Sequence, residues 1–163
     1  MLSEKIYSFR NIFPENRDSE EYKKLIEDYL EIGYDHNDIE SFIITRSDAR
    51  NAMNELGINK DSTFYEYYLD GYENPESDDK IPLYGLQEIL EEAKAPYWKQ
   101  YPKIGKRYLQ LSSIEGEWSY FYDKDTDAVY GVDWGEMDEF SEEKLTPLFY
   151  SFNDFLEWYY SGD

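Results

Sequence analysis

The clearest hydrophobic pattern in the chain lies between Asp18 and Gly33. Tyr22, Leu25, Ile26, Tyr29 and Leu30 recur at i, i+3, i+4, i+7 and i+8, the apolar stripe of a helix, while Glu20, Lys23, Lys24, Glu27, Asp28 and Glu31 fill the opposite face. Asp18 with Glu21 three residues on forms an acidic capping box, and Gly33 stands where a left-handed closing residue is wanted. The spacing therefore predicts an amphipathic helix over 18–33. A shorter helix is expected from near Ser47 through Ala49, Ala52, Met53 and Leu56 to Gly57. Asp61 or Ser62 caps a third, with Phe64, Tyr65, Tyr68 and Leu69 inward and Gly71 closing it. Residues 1–17 show no clear period, and 72–80 read as a loop by composition.

Beyond residue 80 the texture changes. Ile81-Pro82-Leu83-Tyr84 reads as a short strand whose proline suits an edge, and Leu86, Ile89 and Leu90 mark a brief helix up to Ala95-Pro96. Three aromatic-rich runs follow, Tyr108–Leu111, Trp118–Tyr122 and Ala128–Trp134, separated by Gly116 and by the polar stretch Asp123–Asp127. Spacings this short predict an antiparallel meander. A last helix is expected after Ser151, with Phe152, Phe155, Leu156 and Tyr159 as its stripe. Helices, then strands, then a helix make an α+β pattern in a single domain: a mixed or antiparallel central sheet with flanking helices.

Composition decides whether this pattern folds. Aliphatic residues are few, but the chain carries 18 Tyr, 9 Phe and 4 Trp, and disordered chains are poor in aromatics. Its 163 residues suffice for one hydrophobic core. The net charge of -21 repels phosphate backbones and anionic lipid surfaces, so neither nucleic acid nor membrane is expected as a partner. Cysteine is absent, which removes disulfides, thiolate metal sites and thiol nucleophiles. With no apolar leader behind Met1 and no long apolar run, a cytoplasmic protein is the expectation.

Little in the sequence points to catalysis. His36, the one histidine, sits among turn residues in Tyr34-Asp35-His36-Asn37-Asp38 and reads as a surface residue. No nucleophile elbow or glycine-rich phosphate loop occurs. With 37 acidic residues, carboxylate pairs carry no information by themselves. Asp123-Lys124-Asp125-Thr126-Asp127 opens like a calcium loop, but Ala128 stands where glycine is needed and Trp134 where a bidentate Glu is required, so a polar hairpin turn is expected instead. No enzyme, metal or cofactor is expected.

Charge is unevenly spread. Residues 93–114 carry Lys94, Lys99, Lys103, Lys106 and Arg107 and no acid; those cations either neutralise part of the acidity within the fold or leave the molecule dipolar. From Glu115 onward 14 acids face 2 bases. Within that stretch Asp133, Glu136, Asp138, Glu139, Glu142 and Glu143 surround Trp134, Met137 and Phe140. The segment is either a solvated loop beside a strand end or an interaction surface. In the second reading the carboxylates steer a basic partner, and Trp134 and Phe140 anchor it.

The order of elements resembles the SUKH superfamily. The resemblance rests on the helix end Leu56-Gly57-Ile58, the helix Phe64-Tyr65-Glu66-Tyr67-Tyr68-Leu69 closed by Asp70-Gly71, the Ile81–Tyr84 strand, the Gly116–Asp123 and Ala128–Gly131 pair, and the closing Ser151-Phe152-Asn153-Asp154-Phe155-Leu156 helix. It covers 48–160, leaving 1–47 as an N-terminal extension with one amphipathic helix (18–33), packed on the domain. Lys60-Asp61 stands where many relatives have a proline. The resemblance implies a binding protein without catalytic residues. Its bacterial members are immunity proteins, commonly encoded beside polymorphic toxins, often nucleases; its fungal members regulate cell-wall assembly. An immunity protein for a basic toxin domain is thus the leading expectation. A regulatory scaffold and an acidic DNA mimic are the alternatives.

Overall fold

The computed structural model describes residues 1–42, 44–76, 79–113 and 115–162. Helix α1 (Glu4–Tyr7) and strand β1 (Arg10–Asn11) precede helices α2 (Glu20–Ile32), α3 (His36–Phe42), α4 (Arg46–Leu56) and α5 (Thr63–Tyr68). Strand β2 (Gly71–Tyr72), helix α6 (Leu86–Ala93), strands β3 (Tyr108–Gln110), β4 (Trp118–Asp123) and β5 (Val129–Asp133), and helices α7 (Met137–Ser141) and α8 (Phe152–Tyr159) complete the chain. The fold is α+β: β3-β4-β5 form an antiparallel meander, and β1 pairs with β2 in a small antiparallel sheet of its own.

The meander is covered on both faces, which is why Trp118–Tyr122 reads as an almost continuous aromatic run. Tyr120 and Tyr122 face the main core with Phe64, Ile89, Phe152 and Phe155; Phe121 faces a second cluster with Trp98, Tyr108, Val132, Met137 and Phe140. Helices α4, α5, α6 and α8 pack on the first face, and α7 with residues 95–104 packs on the second. Leu2 and Ile6 belong to the main core, held there by α1, which Ser3 caps.

Several local expectations shift when the backbone is seen. The cap of α2 is Ser19, whose hydroxyl accepts from the Tyr22 amide, one residue after the Asp18 expected. The turn read around His36 is the start of α3. Asp35 accepts from the Asn37 amide at 3.1 Å, and Ile39 is fully buried against Tyr22. Gly71 begins β2 rather than closing α5. A Cβ there would lie 2.8 Å from the Phe13 ring, so close approach of Phe13 is what requires the glycine. The Ile81–Tyr84 segment makes a single bridge, Leu83 opposite Ser112, because Pro82 has no amide to extend the ladder.

Two forked ion pairs staple these pieces. The Arg46 guanidinium grips Asp70 at 2.9 and 2.7 Å, and Asp70 also accepts from the Phe13 amide at 3.0 Å, joining α4, β2 and the segment after β1. Arg107 grips Asp123 at 3.1 and 3.0 Å across the β3–β4 ends. Asp123 also accepts from the Asp125 amide and the Thr126 hydroxyl, so the 123–127 stretch is the expected polar hairpin turn, closed by Asp127 at φ 70°.

Burial pushes the Asp123 carboxyl up, but the Arg107 fork, the Thr126 hydroxyl and the Asp125 amide outweigh it and hold the group below the usual carboxylate range. A depressed folded pKa stabilises above the unfolded value near 4, and that stability is lost as pH falls through the folded value. Asp123→Asn is expected to cost about 3 kcal/mol at neutral pH, since Arg107 keeps Glu143. Thermal melts from about pH 6 down to about pH 2 should show a smaller acid-dependent fall in Tm for the variant than for the parent chain.

Candidate protein-binding site

The acidic segment after β5 is shaped from its first residue. Asp133 accepts from the Gly135 amide at 2.8 Å, and its own amide reaches Glu136 at 3.3 Å, a reciprocal cap on the single turn Trp134–Glu136. That turn leads into α7, whose Met137 and Phe140 enter the second core cluster. Asp133, Glu136, Asp138 and Glu139 are left outside and exposed.

The two expected aromatic anchors part company. Phe140 is 1% exposed, 4.3 Å from the Tyr108 ring and 5.2 Å from Phe121, so it is a core residue and not a contact surface. The reason is helical spacing, which puts Phe140 on the same face of α7 as Met137. Trp134 is half-buried against Trp98 and Phe121, and its indole N–H donates to the Gly116 carbonyl at 2.6 Å.

Glu142 and Glu143 are exposed but already engaged. Glu142 pairs with Lys144 at 2.5 Å. Glu143 accepts from Lys103 at 3.2 Å and from Arg107 at 2.5 Å, and Lys103 and Arg107 together hold its carboxyl below the usual range. Glu143 also adopts φ 62°, a left-handed conformation unusual for a side-chain-bearing residue, which these two cations keep in place. The cations of 93–114 thus split. Lys103 and Arg107 neutralise Glu143 and Asp123 inside the fold, Lys94 pairs with Glu55, and Lys99 and Lys106 pair with no acid among the described residues.

Pairing of β4 with β5 adds two residues that the linear pattern did not single out. Trp118 lies opposite Asp133, and the Trp134 amide donates to the Glu117 carbonyl at 3.2 Å. Glu117 therefore stands opposite Trp134, and Glu115 adjoins Gly116, whose carbonyl the Trp134 indole holds. Counting back from the 123–127 turn would have revealed this neighbourhood. Glu115, Glu117, Asp133, Glu136, Asp138 and Glu139 are all exposed, and none of the six pairs with a cation among the described residues. Asp138 does accept from the Tyr101 hydroxyl at 3.0 Å, which raises that phenol's pKa.

No group of three or more His, Asp or Glu side chains among the described residues is arranged to hold a metal ion. Nor is any helix among them long and apolar enough to cross a membrane. What the site offers is a fixed array of negative charge around one tryptophan edge.

The different duties of the two aromatics can be read by urea unfolding. Phe140→Ala is expected to cost about 3–4 kcal/mol through the cavity it leaves. Trp134→Phe should lose only about 1 kcal/mol with the indole hydrogen bond. Comparison of the chain with protein-family models, with curated proteins and with solved structures finds no match.

Proposed function

We propose that the protein is a non-catalytic immunity protein of the SUKH kind that binds a basic toxin domain, of the nuclease type, in the cytoplasm and holds it inactive. The observation that carries this reading is the set of six exposed carboxylates, none paired with a cation among the described residues, that flank Trp134 in the sequence and across the β4–β5 pairing. A nuclease has to present Lys and Arg side chains to hold phosphates. Carboxylates mounted on a sheet end and a capped turn meet such a surface already ordered, so little entropy is lost on docking. Their field also steers the encounter, toward association rates of about 10⁸–10⁹ M⁻¹s⁻¹ at low salt. The SUKH resemblance supports the reading from a second side. The segments that carry it, from the α4 end to α8, are gathered around one core.

The experiment is capture with the full chain as bait, at low and at high salt, followed by co-expression of the captured protein with and without this chain. One dominant basic partner, toxic alone and harmless beside this protein, is the expected outcome. A non-toxic partner would make the protein a scaffold. Several unrelated DNA-binding proteins, all lost at high salt, would make it a DNA mimic. For the captured toxin, Glu115, Glu117, Glu136 and Glu139 changed together to Gln should slow association about tenfold at low salt and flatten its salt dependence. Unchanged association rates in a stopped-flow measurement would remove this surface from the interface.

A further inference from the structure

Among the described residues, helix α2 has an apolar stripe that the fold leaves half covered. Tyr22, Leu25, Tyr29 and Ile32 form a single row along it, and burial runs out toward its C-terminal end: Tyr22 is 7% exposed, Leu25 and Tyr29 are partly buried, and Ile32 is 72% exposed. The helix belongs to a satellite cluster of its own with Ile39 of α3, separate from the main core. Between α2 and residues 11–15 runs an open cleft of 590 Å³, continuous through Ile12, Phe13, Pro14 and Leu25 with a second of 510 Å³ that reaches Tyr29 and Ile44. Volumes of this size lie in the range of ligand-binding sites. Ile12, on the rim of both, is 64% exposed. An isolated helix of 13 residues is marginal in water and draws its stability from packing of its apolar face.

We infer that this cleft is a second docking site, for a basic amphipathic helix of a protein partner. Charge identifies the occupant. Residues 18–38 hold eight acids and two lysines, a net charge of -6. On the cleft wall Glu15, Glu21 and Asp28 stand with Lys24 and Arg46. Since Arg50 takes up Glu15 and Asp70 takes up Arg46, Glu21 and Asp28 against Lys24 are what a ligand meets. A second copy of this chain would bring its own -21 to the contact, so self-association is opposed. The shape of the occupant follows from α2, whose apolar row runs about 15 Å from Tyr22 to Ile32 with the i, i+3, i+7 and i+10 spacing that packs against another helix. The site is separate from the acidic surface around Trp134 and does not rest on the toxin reading.

The test uses the full chain and a fluorescein-labelled peptide of about 18 residues built from Leu and Lys at helical spacing. Fluorescence anisotropy should show saturable binding, at least tenfold weaker for a peptide of the same composition in scrambled order. The double variant Ile12→Ser, Ile32→Ser removes only exposed side chains, and it should weaken binding about tenfold while Leu148→Ser leaves it unchanged. Hydrogen exchange should show peptide-dependent protection of residues 20–32. Equal binding of the scrambled peptide, protection confined to 115–143, or no binding would overturn the inference. A dimer by sedimentation that the double variant abolishes would also overturn it, by assigning the cleft to a second copy.

Discussion

Sixteen cations must serve thirty-seven acids, and where they are placed decides what this molecule can present to others. Among the described residues the two deeply buried acids, Asp70 and Asp123, each receive an arginine fork, the group best shaped to hold both carboxylate oxygens at once. Arg46 thereby fixes the N-terminal segment to the start of β2, and Arg107 fixes β3 to the hairpin and, through Glu143, to the end of α7. Once those positions are served, the excess of acid can only lie outside. The negative surface is therefore a consequence of how the interior was closed as well as a feature of the sequence.

The interior is also unusual in its materials. Large aromatic rings take the place of aliphatic side chains, and several bring hydroxyls into the core: Tyr67 and Tyr160 bond each other at 2.7 Å, and Tyr159 donates to the Ile81 carbonyl at 2.8 Å. Rings packed at definite angles, such as Phe64 stacked 4.4 Å from Tyr122, are harder to slide than aliphatic chains. Lys80 reaches into the same region and bonds the Trp158 and Tyr159 carbonyls at the end of α8. A core of this kind gives the acidic surface a stiff base.

Much of this was legible in the sequence because period and punctuation agreed. The α4 and α8 stripes, the Gly33 and Gly57 closures and the meander all follow from local rules that tertiary packing did not override. What escaped was of two kinds. Helices α1 and α3 are too short for a period to show, and the Asp35 cap of α3 resembles a turn because the same residues serve both. The separation of Trp134 from Phe140, and the arrival of Glu115 and Glu117 beside them, are facts of strand pairing and of the face α7 buries. A linear run of acids and aromatics contains neither.

The closing helix carries a consequence for how the chain is made. Phe152 lies 5.1 Å from Phe64, and Tyr160 lies 4.7 Å from Phe9, so ring contacts begun early in the chain are completed only by residues 152–160. On a ribosome adding about 5–20 residues per second, everything up to β5 is synthesised before those partners exist. The aromatic faces of α5 and the meander that α8 covers therefore wait until that helix has been made. The main core is closed late, by α8, and a chain cut short near residue 150 keeps that aromatic face open.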